Sequence, residues 1–262
     1  MSKPFSIQED NLLREAYPTT QCKNLVEYFP NRTFSSLKHR VSRLNIKKTL
    51  KSDLSFLTLE IPLSFYMMGF IIADGNFSKK DSLKINLSIK DKEWFLNTFS
   101  RLGGNWSETE KIVCFEAYDR PNFFKIQEKF DLKIRKTYNP PQNIEFYKNL
   151  PYHLFMPLLV GIIDGDGYIG QSKSKSYFIA IELHESWYNF LLMLKERIEK
   201  IFSLSVELYF THNNKCVRLF IGKFDIIREL RNITTNYNLP ILKRKWEKID
   251  KHHSLVEKSV NI

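Results

Sequence analysis

Cysteine is scarce in this chain. The three present, Cys22, Cys114 and Cys216, are odd in number and far apart, and no Cys-x-x-Cys pair occurs. That excludes a disulfide framework and a cysteine-rich zinc site. Long apolar runs are missing too. The longest, Leu154 to Ile163, contains Pro157, stops at Asp164 and is too short to cross a bilayer. The N-terminus is polar and lacks the apolar centre of a signal peptide. The expectation is therefore a soluble, intracellular protein with no membrane partner. Acidic residues are also in deficit: 29 Asp and Glu face 40 Lys and Arg, a formal charge of +11. Such an excess suits a polyanion. What the chain does contain is apolar and aromatic side chains, 43% and 14%, enough to fold rather than stay disordered.

The positive charge is uneven. Residues 1–52 carry 10 Lys and Arg against 4 Asp and Glu, a net of +6; the rest carries 30 against 25, a net of +5. Ser6 followed by Glu9 is a capping box opening a helix through Leu12, Leu13 and Ala16. A second short helix fits Cys22 to Tyr28. Thr33 can cap a third, whose apolar positions 34, 37, 41 and 44 follow helical spacing. Its polar face presents Lys38, His39, Arg40 and Arg43, with Lys47 and Lys48 beyond. Three short helices with a basic last one suit a helix-turn-helix that enters a major groove. Phe5-Ser6-Ile7-Gln8-Glu9-Asp10, with Asn31-Arg32-Thr33 and Leu37-Lys38-His39-Arg40, resembles a Myb/SANT-like DNA-binding domain. Residues 48–58 read as a linker.

Beyond them one stretch occurs twice. Met67-Met68-Gly69-Phe70-Ile71-Ile72-Ala73-Asp74-Gly75 returns as Leu159-Val160-Gly161-Ile162-Ile163-Asp164-Gly165-Asp166-Gly167. Each copy is an apolar helical run with small residues four apart, Gly69 and Ala73 or Gly161 and Gly165. That spacing lets two helix backbones approach closely. Each copy ends in Asp-Gly. A carboxylate at a helix C-terminus faces the negative end of the macrodipole, a cost of roughly 0.3–1 kcal/mol. A divalent cation is the simplest offset. Asp164-Gly165-Asp166-Gly167 is not a calcium loop, because the third oxygen ligand and the glutamate at position 12 are missing.

The order after each copy also repeats. Strands are expected at 76–79 and 83–90, a helix at 91–102, a strand at 112–117 and a helix at 122–130. Leu83, Ile85, Leu87 and Ile89 alternate with Lys84, Asn86, Ser88 and Lys90. The second half gives strands at 168–171 and 177–183, a helix at 185–201, strands at 205–210 and 216–221 turning at Asn213-Asn214, and a helix at 225–231. Asp74 to Asp166 spans 92 residues, Ser88 to Glu182 spans 94, and Tyr138-Asn139-Pro140 to Tyr237-Asn238-Leu239-Pro240 spans 99. Two αββαββα units joined near 138–153 should pack about a pseudo-two-fold axis, helix on helix. Asp74 and Asp166 would then emerge together and hold a hard cation such as Mg²⁺, a pairing suited to phosphodiester hydrolysis. Strand faces bearing Lys84, Asn86, Ser88 and Lys90, with Gln171, Lys173, Glu182 and Arg218 opposite, could line a DNA groove. Trp94 and Trp187 read as core. Lys243-Arg244-Lys245-Trp246 reads as a phosphate grip or the charged face of a helix, and His252-His253 as tail.

Across roughly residues 60–250 this pattern strongly resembles the LAGLIDADG homing endonucleases in their single-chain, two-motif form. The resemblance implies an α+β fold: two pseudo-symmetric repeats forming a DNA-binding saddle, here preceded by a small all-α domain. It implies site-specific, Mg²⁺-dependent double-strand cleavage across the minor groove with 3′ overhangs, and two or three divalent ions near the helix seam. The family's essential acid, the penultimate motif residue, maps to Asp74 and Asp166; further backbone ligands beside Ala73 stay open. Asp164 falls on the earlier acidic position, where Ile72 stands in the first copy, and is read as a capping or packing residue. A polar residue on the second strand near the attacking water maps to Ser88 and Glu182. A basic residue before the last helix maps to Lys223, with only Arg120 to answer it, so the two strands of DNA need not be cut equally. The expected division is 1–52, 53–150 and 151–262, in a monomer that takes double-stranded DNA. An intron RNA maturase on the same fold, or a DNA-binding regulator without cleavage, is the alternative.

Overall fold

The computed structural model describes residues 4–18, 25–46, 52–172 and 176–250. The N-terminal module holds α1 (Ile7–Ala16), α2 (Leu25–Tyr28) and α3 (Phe34–Arg43). The capping box is formed: Ser6 Oγ accepts the Glu9 N–H at 3.2 Å, and the Glu9 carboxylate accepts the Ser6 N–H at 2.8 Å. Thr33 caps α3 through the Ser36 N–H. Leu13, Leu25, Phe29, Leu37 and Val41 make a small apolar cluster of their own. Cys22, at the start of the expected second helix, and Lys47 and Lys48 lie outside the described residues, as do Lys173, His252 and His253.

The first repeat runs α4 (Pro62–Asp74), β1 (Gly75–Phe77), β2 (Leu83–Ser88), α5 (Lys92–Phe99), β3 (Asn105–Glu108), β4 (Ile112–Ala117) and α6 (Arg120–Lys129). A short α7 (Ile144–Lys148) leads to the second: α8 (Tyr152–Asp166), β5 (Gly167–Gln171), β6 (Tyr177–His184), α9 (Tyr188–Phe202), β7 (Glu207–Thr211), β8 (Cys216–Ile221) and α10 (Phe224–Asn236). Residues 243–250 form α11. Each repeat builds one antiparallel sheet, ordered β1-β2-β4-β3 and β5-β6-β8-β7. The αββαββα duplication expected from the sequence is thus present, and one apolar cluster runs through both copies. Among the described residues no helix is long and apolar enough to cross a membrane.

The structure corrects several local expectations. The linker does not reach residue 58: Leu54 and Leu57 are fully buried in the main core, and the Leu54 N–H donates to Asp119 at 2.7 Å. Strand β3 was not expected, because Asn105-Trp106-Ser107-Glu108 carries one apolar residue and no alternation. Strand β2 stops at Ser88, so Ile89 and Lys90 belong to a 3₁₀ turn that the Ser88 hydroxyl caps. The pairing register also changes the equivalences. Gly75 pairs with Ile85 and Gly167 with Ile181, so Glu182 answers Asn86, and Ser88 answers His184. The repeat exits shift as well. Both last helices close with a left-handed residue, Asp131 (φ 47°) and Asn238 (φ 48°). The next N–H in each reaches five residues back: Leu132 to the Gln127 carbonyl and Leu239 to the Thr234 carbonyl, both at 2.9 Å. Leu132 therefore answers Leu239, and the two Tyr-Asn motifs are not equivalent.

Candidate active site

α4 and α8 are apolar on nearly every face, and a helix of that kind is stable only when buried all round. They pack on each other by reciprocal close contact. A Cβ on Gly69 would stand 2.0 Å from the Leu158 carbonyl oxygen, and one on Gly161 would stand 2.0 Å from that of Tyr66. A Cβ on Gly165 would lie 2.3 Å from the Ala73 Cβ. These are the small residues the sequence singled out, and Leu158 and Tyr66 are themselves 92 positions apart. The contact is isologous in form: what one helix offers the other returns.

That seam brings the two chain reversals together, with Asp74 and Asp166 as the last helical residues. Asp74 keeps an exposed surface and Asp166 is half-buried. Partial desolvation first, then repulsion from Asp166, pushes the Asp74 carboxyl up to about 6, against the pull of Lys136, Lys245 and Arg244. Desolvation also raises Asp166, opposed by Lys136 and Lys245.

Those two lysines answer the question posed by acids at helix C-termini. The Lys136 ammonium donates to the Ile72 carbonyl at 2.6 Å and to that of Ala73. The Lys245 ammonium donates to the carbonyls of Ile163 (3.0 Å), Asp164 (2.6 Å), Gly165 (2.9 Å) and Gly167 (2.7 Å). Each closes the negative end of one motif helix. Burial draws the Lys136 ammonium down to about 8, against the attraction of Asp166 and Asp74, and lowers Lys245 as well. The sequence gives Lys136 no role and Lys245 only a place in a basic run, read as a phosphate grip or a helix face. Lys136 stands four residues past Leu132 in a turn and Lys245 six past Leu239 in a helix, so no shared spacing marks them.

Asp164 does what was expected of it. It is buried, and its carboxylate accepts the Trp246 indole N–H at 2.8 Å and the Leu242 N–H at 3.1 Å, with the Tyr66 hydroxyl at 2.7 Å. Desolvation raises its carboxyl; those three donors pull it back.

Other expected site residues have partners of their own, and the register that pairs Gly167 with Ile181 puts Glu182 beside the start of β5. Glu182 accepts from Arg218 Nε at 2.7 Å and Thr211 Oγ1 at 3.1 Å, and lies 3.1 Å from His212 Nε2. It is an ion-pair partner of Arg218. Arg218 is correspondingly paired with Glu182 and keeps part of its side chain exposed. Lys223 is the N-cap of α10, and the cations acting on Asp166 are Lys136 and Lys245. In the N-terminal module Arg40 grips Asp10 by two nitrogens, one at 2.7 Å, which withdraws it from the basic face; Lys38, His39 and Arg43 stay exposed. Lys84 is half-buried, and Asn86, Ser88, Lys90 and Gln171 are exposed.

The donor set fits a hard cation. Asp74 and Asp166 offer carboxylate oxygens only, and no group of three or more His, Cys, Asp or Glu forms among the described residues, at this seam or away from it. Mg²⁺ is commonly held by one or two carboxylates, with water and substrate phosphate filling its octahedron.

The architecture is that of the LAGLIDADG homing endonuclease fold. The LAGLIDADG homing endonuclease I-GzeII, crystallised in complex with its DNA target, superposes with a TM-score of 0.52 at 14% identity, over 76% of this chain and 92% of that one. The meganuclease I-CpaMI, bound to uncleaved DNA, gives 0.51 at 14% identity over 75% and 92%. I-SmaMI, bound to uncleavable DNA, gives 0.50 at 14% over 81% and 92%. No protein-family model matches the chain, and no curated protein matches it.

Proposed function

We propose that this protein is a site-specific DNA endonuclease that cuts both strands with the help of Mg²⁺. One observation carries the reading: two carboxylates and two anchored ammonium groups meet at the paired ends of α4 and α8. Asp74 and Asp166 would hold the cation, which when bound supplies charge neutralisation at the phosphodiester and a more acidic water. The residues themselves do three further things. Lys136 and Lys245 keep both carboxylates ionised and draw a phosphate backbone to the seam. Their attachment to helix carbonyls leaves little freedom to lose when substrate arrives. The faces of β2 and β6, paired with the strands that start directly after each Asp, supply groups that can read base edges. The N-terminal module would lengthen the footprint through Lys38, His39 and Arg43, acting as a tethered second contact in a monomer.

The test is incubation with a randomised duplex library in Mg²⁺, in Ca²⁺ and in EDTA, followed by sequencing of cut ends. Recurrent cuts with 3′ overhangs in Mg²⁺ alone are expected, lowered at least a thousandfold in Asp74→Asn or Asp166→Asn while binding in Ca²⁺ persists. Selective binding with no cutting in Mg²⁺ would refute the enzyme. Binding of structured RNA in preference to duplex DNA at matched salt would favour the maturase alternative. Removal of residues 1–52 should weaken binding and flatten its salt dependence while metal-dependent cutting continues.

A further inference from the structure

Each lysine at the seam is carried by a segment that leaves its own repeat and is grasped by the other. The segment holding Lys136 belongs to the first repeat. Its Thr137 carbonyl accepts the indole N–H of Trp187 at 3.1 Å and the hydroxyl of Ser186 at 2.8 Å, both from the turn that opens α9 in the second repeat. The segment that leads to Lys245 belongs to the second repeat. Its Pro240 carbonyl accepts the indole N–H of Trp94, on α5 of the first. By the ladder register Trp187 answers Asp91 and Trp94 answers Phe190, so the two clasps act alike from positions that are not equivalent. Both indoles were expected to be core and nothing more. Trp187 is indeed 3% exposed, so its N–H needs a partner, and the partner it finds lies next to a lysine of the opposite repeat.

From this we infer that Trp187 and Trp94 are crossed positioning residues, each setting the lysine contributed by the other repeat against the carboxylate pair. The inference rests on the endonuclease reading and adds to it how the two halves are kept in step. The grips differ in strength. Lys245 is held by more than Trp94: Arg244 pairs with the buried Asp91 at 2.8 Å through both nitrogens, and Asp164 fixes Leu242 and Trp246. Among the described residues, the Lys136 segment is held across the repeats by the turn at Ser186 and Trp187. Its Tyr138 packs edge-on to His184, ring centroids 5.0 Å apart, on that same turn. The lysine of the first repeat thus depends on one turn, and that of the second on Trp94, Tyr66, Asp91 and Asp164 together.

The experiment uses the full chain with the duplex selected by the library, and Trp187→Phe and Trp94→Phe, which keep an aromatic ring and remove the N–H. Single-turnover nicking of each strand is measured separately, beside affinity in Ca²⁺. Trp187→Phe should change the ratio of the two nicking rates at least fivefold, with affinity held within twofold. Trp94→Phe should move the ratio the other way and by less, because its segment has other anchors. Amide exchange in the free protein supplies a second readout that needs no DNA. Residues 134–140 should exchange faster in Trp187→Phe and residues 240–246 in Trp94→Phe, each without the other. Equal slowing of both strands in both variants, or faster exchange in the segment of the same repeat, would overturn the crossed assignment. Wild-type protein that cuts neither strand would refute the endonuclease reading; the exchange pattern would still decide the clasps.

Discussion

The two repeats share a topology and differ in what they show to solvent. Facing away from the core, the first sheet carries Asn76, Lys84, Asn86, Ser107 and Glu116. The second carries Tyr168, Phe178, Phe220 and Tyr209 in the corresponding region, and its one prominent charge pair, Glu182 and Arg218, is closed on itself. Phe178 and Phe220 stack with centroids 5.1 Å apart, and Tyr168 is 58% exposed. Core positions tolerate little divergence because both helices must meet at backbone distance. The sheet faces have no such partner inside the molecule and were free to diverge. The lesson is that the duplication fixed the centre and left each wing to acquire its own chemistry.

The comparison is broken most severely at the seam. Gly69→Val and Gly161→Val should each cost at least about 4 kcal/mol, because backbone and not a movable side chain lies where the new atoms would go. Urea unfolding checks this, and the two losses should be alike. A loss in one repeat only would show that the reciprocal packing is not required. The latch at Asp164 should reveal the opposite, an asymmetry. Asp164→Ala strands the buried N–H donors of Leu242 and Trp246, while the Tyr66 hydroxyl keeps the Pro240 carbonyl, and should cost about 3 kcal/mol. Ile72→Val, at the answering position, should cost about 1 kcal/mol.

A smaller difference follows from proton linkage. The Asp74 carboxyl titrates at about 6 in the folded chain against an ordinary 3.8, so the native state binds the proton more tightly. Stability is then higher below pH 4 on this account and declines as pH rises towards 6. Asp74→Asn should therefore raise metal-free stability at pH 7, and the gain should vanish near pH 4. Because Asp74 keeps an exposed surface, solvent limits the gain to about 1 kcal/mol. The gain from Asp166→Asn should be in the same direction. Thermal melts at pH 4 and pH 7 measure both.

The least effect distinguishes the wings. Aromatic side chains can meet the C5-methyl of thymine, whereas polar ones seek hydrogen-bonding edges. Deoxyuridine in place of thymine should weaken binding about fourfold per methyl lost in one half of the selected site, near 0.8 kcal/mol, and leave the other half unaffected. Phe178→Ala should remove the difference. Equal sensitivity in both halves would mean that the aromatic wing does not read the duplex.

Sequence by itself determined the duplication, the pairing of two glycine-bearing helices and the arrival of Asp74 and Asp166 at one end of the seam. It could do so because small residues four apart and strict strand alternation are local patterns with one economical packing. It also located the N-terminal capping box and the Asn213-Asn214 turn, which takes left-handed backbone at both residues. Tertiary structure decided the rest. Lys136 and Lys245 could not be found by spacing, since a turn delivers one and a helix the other. Arg40 pairs with Asp10 and Arg218 with Glu182, partners that a sequence, which lists charges singly, does not show. The crossed attachment of each lysine segment to the opposite repeat exists only once the two halves have met, and that meeting gives Trp94 and Trp187 a task beyond filling the core.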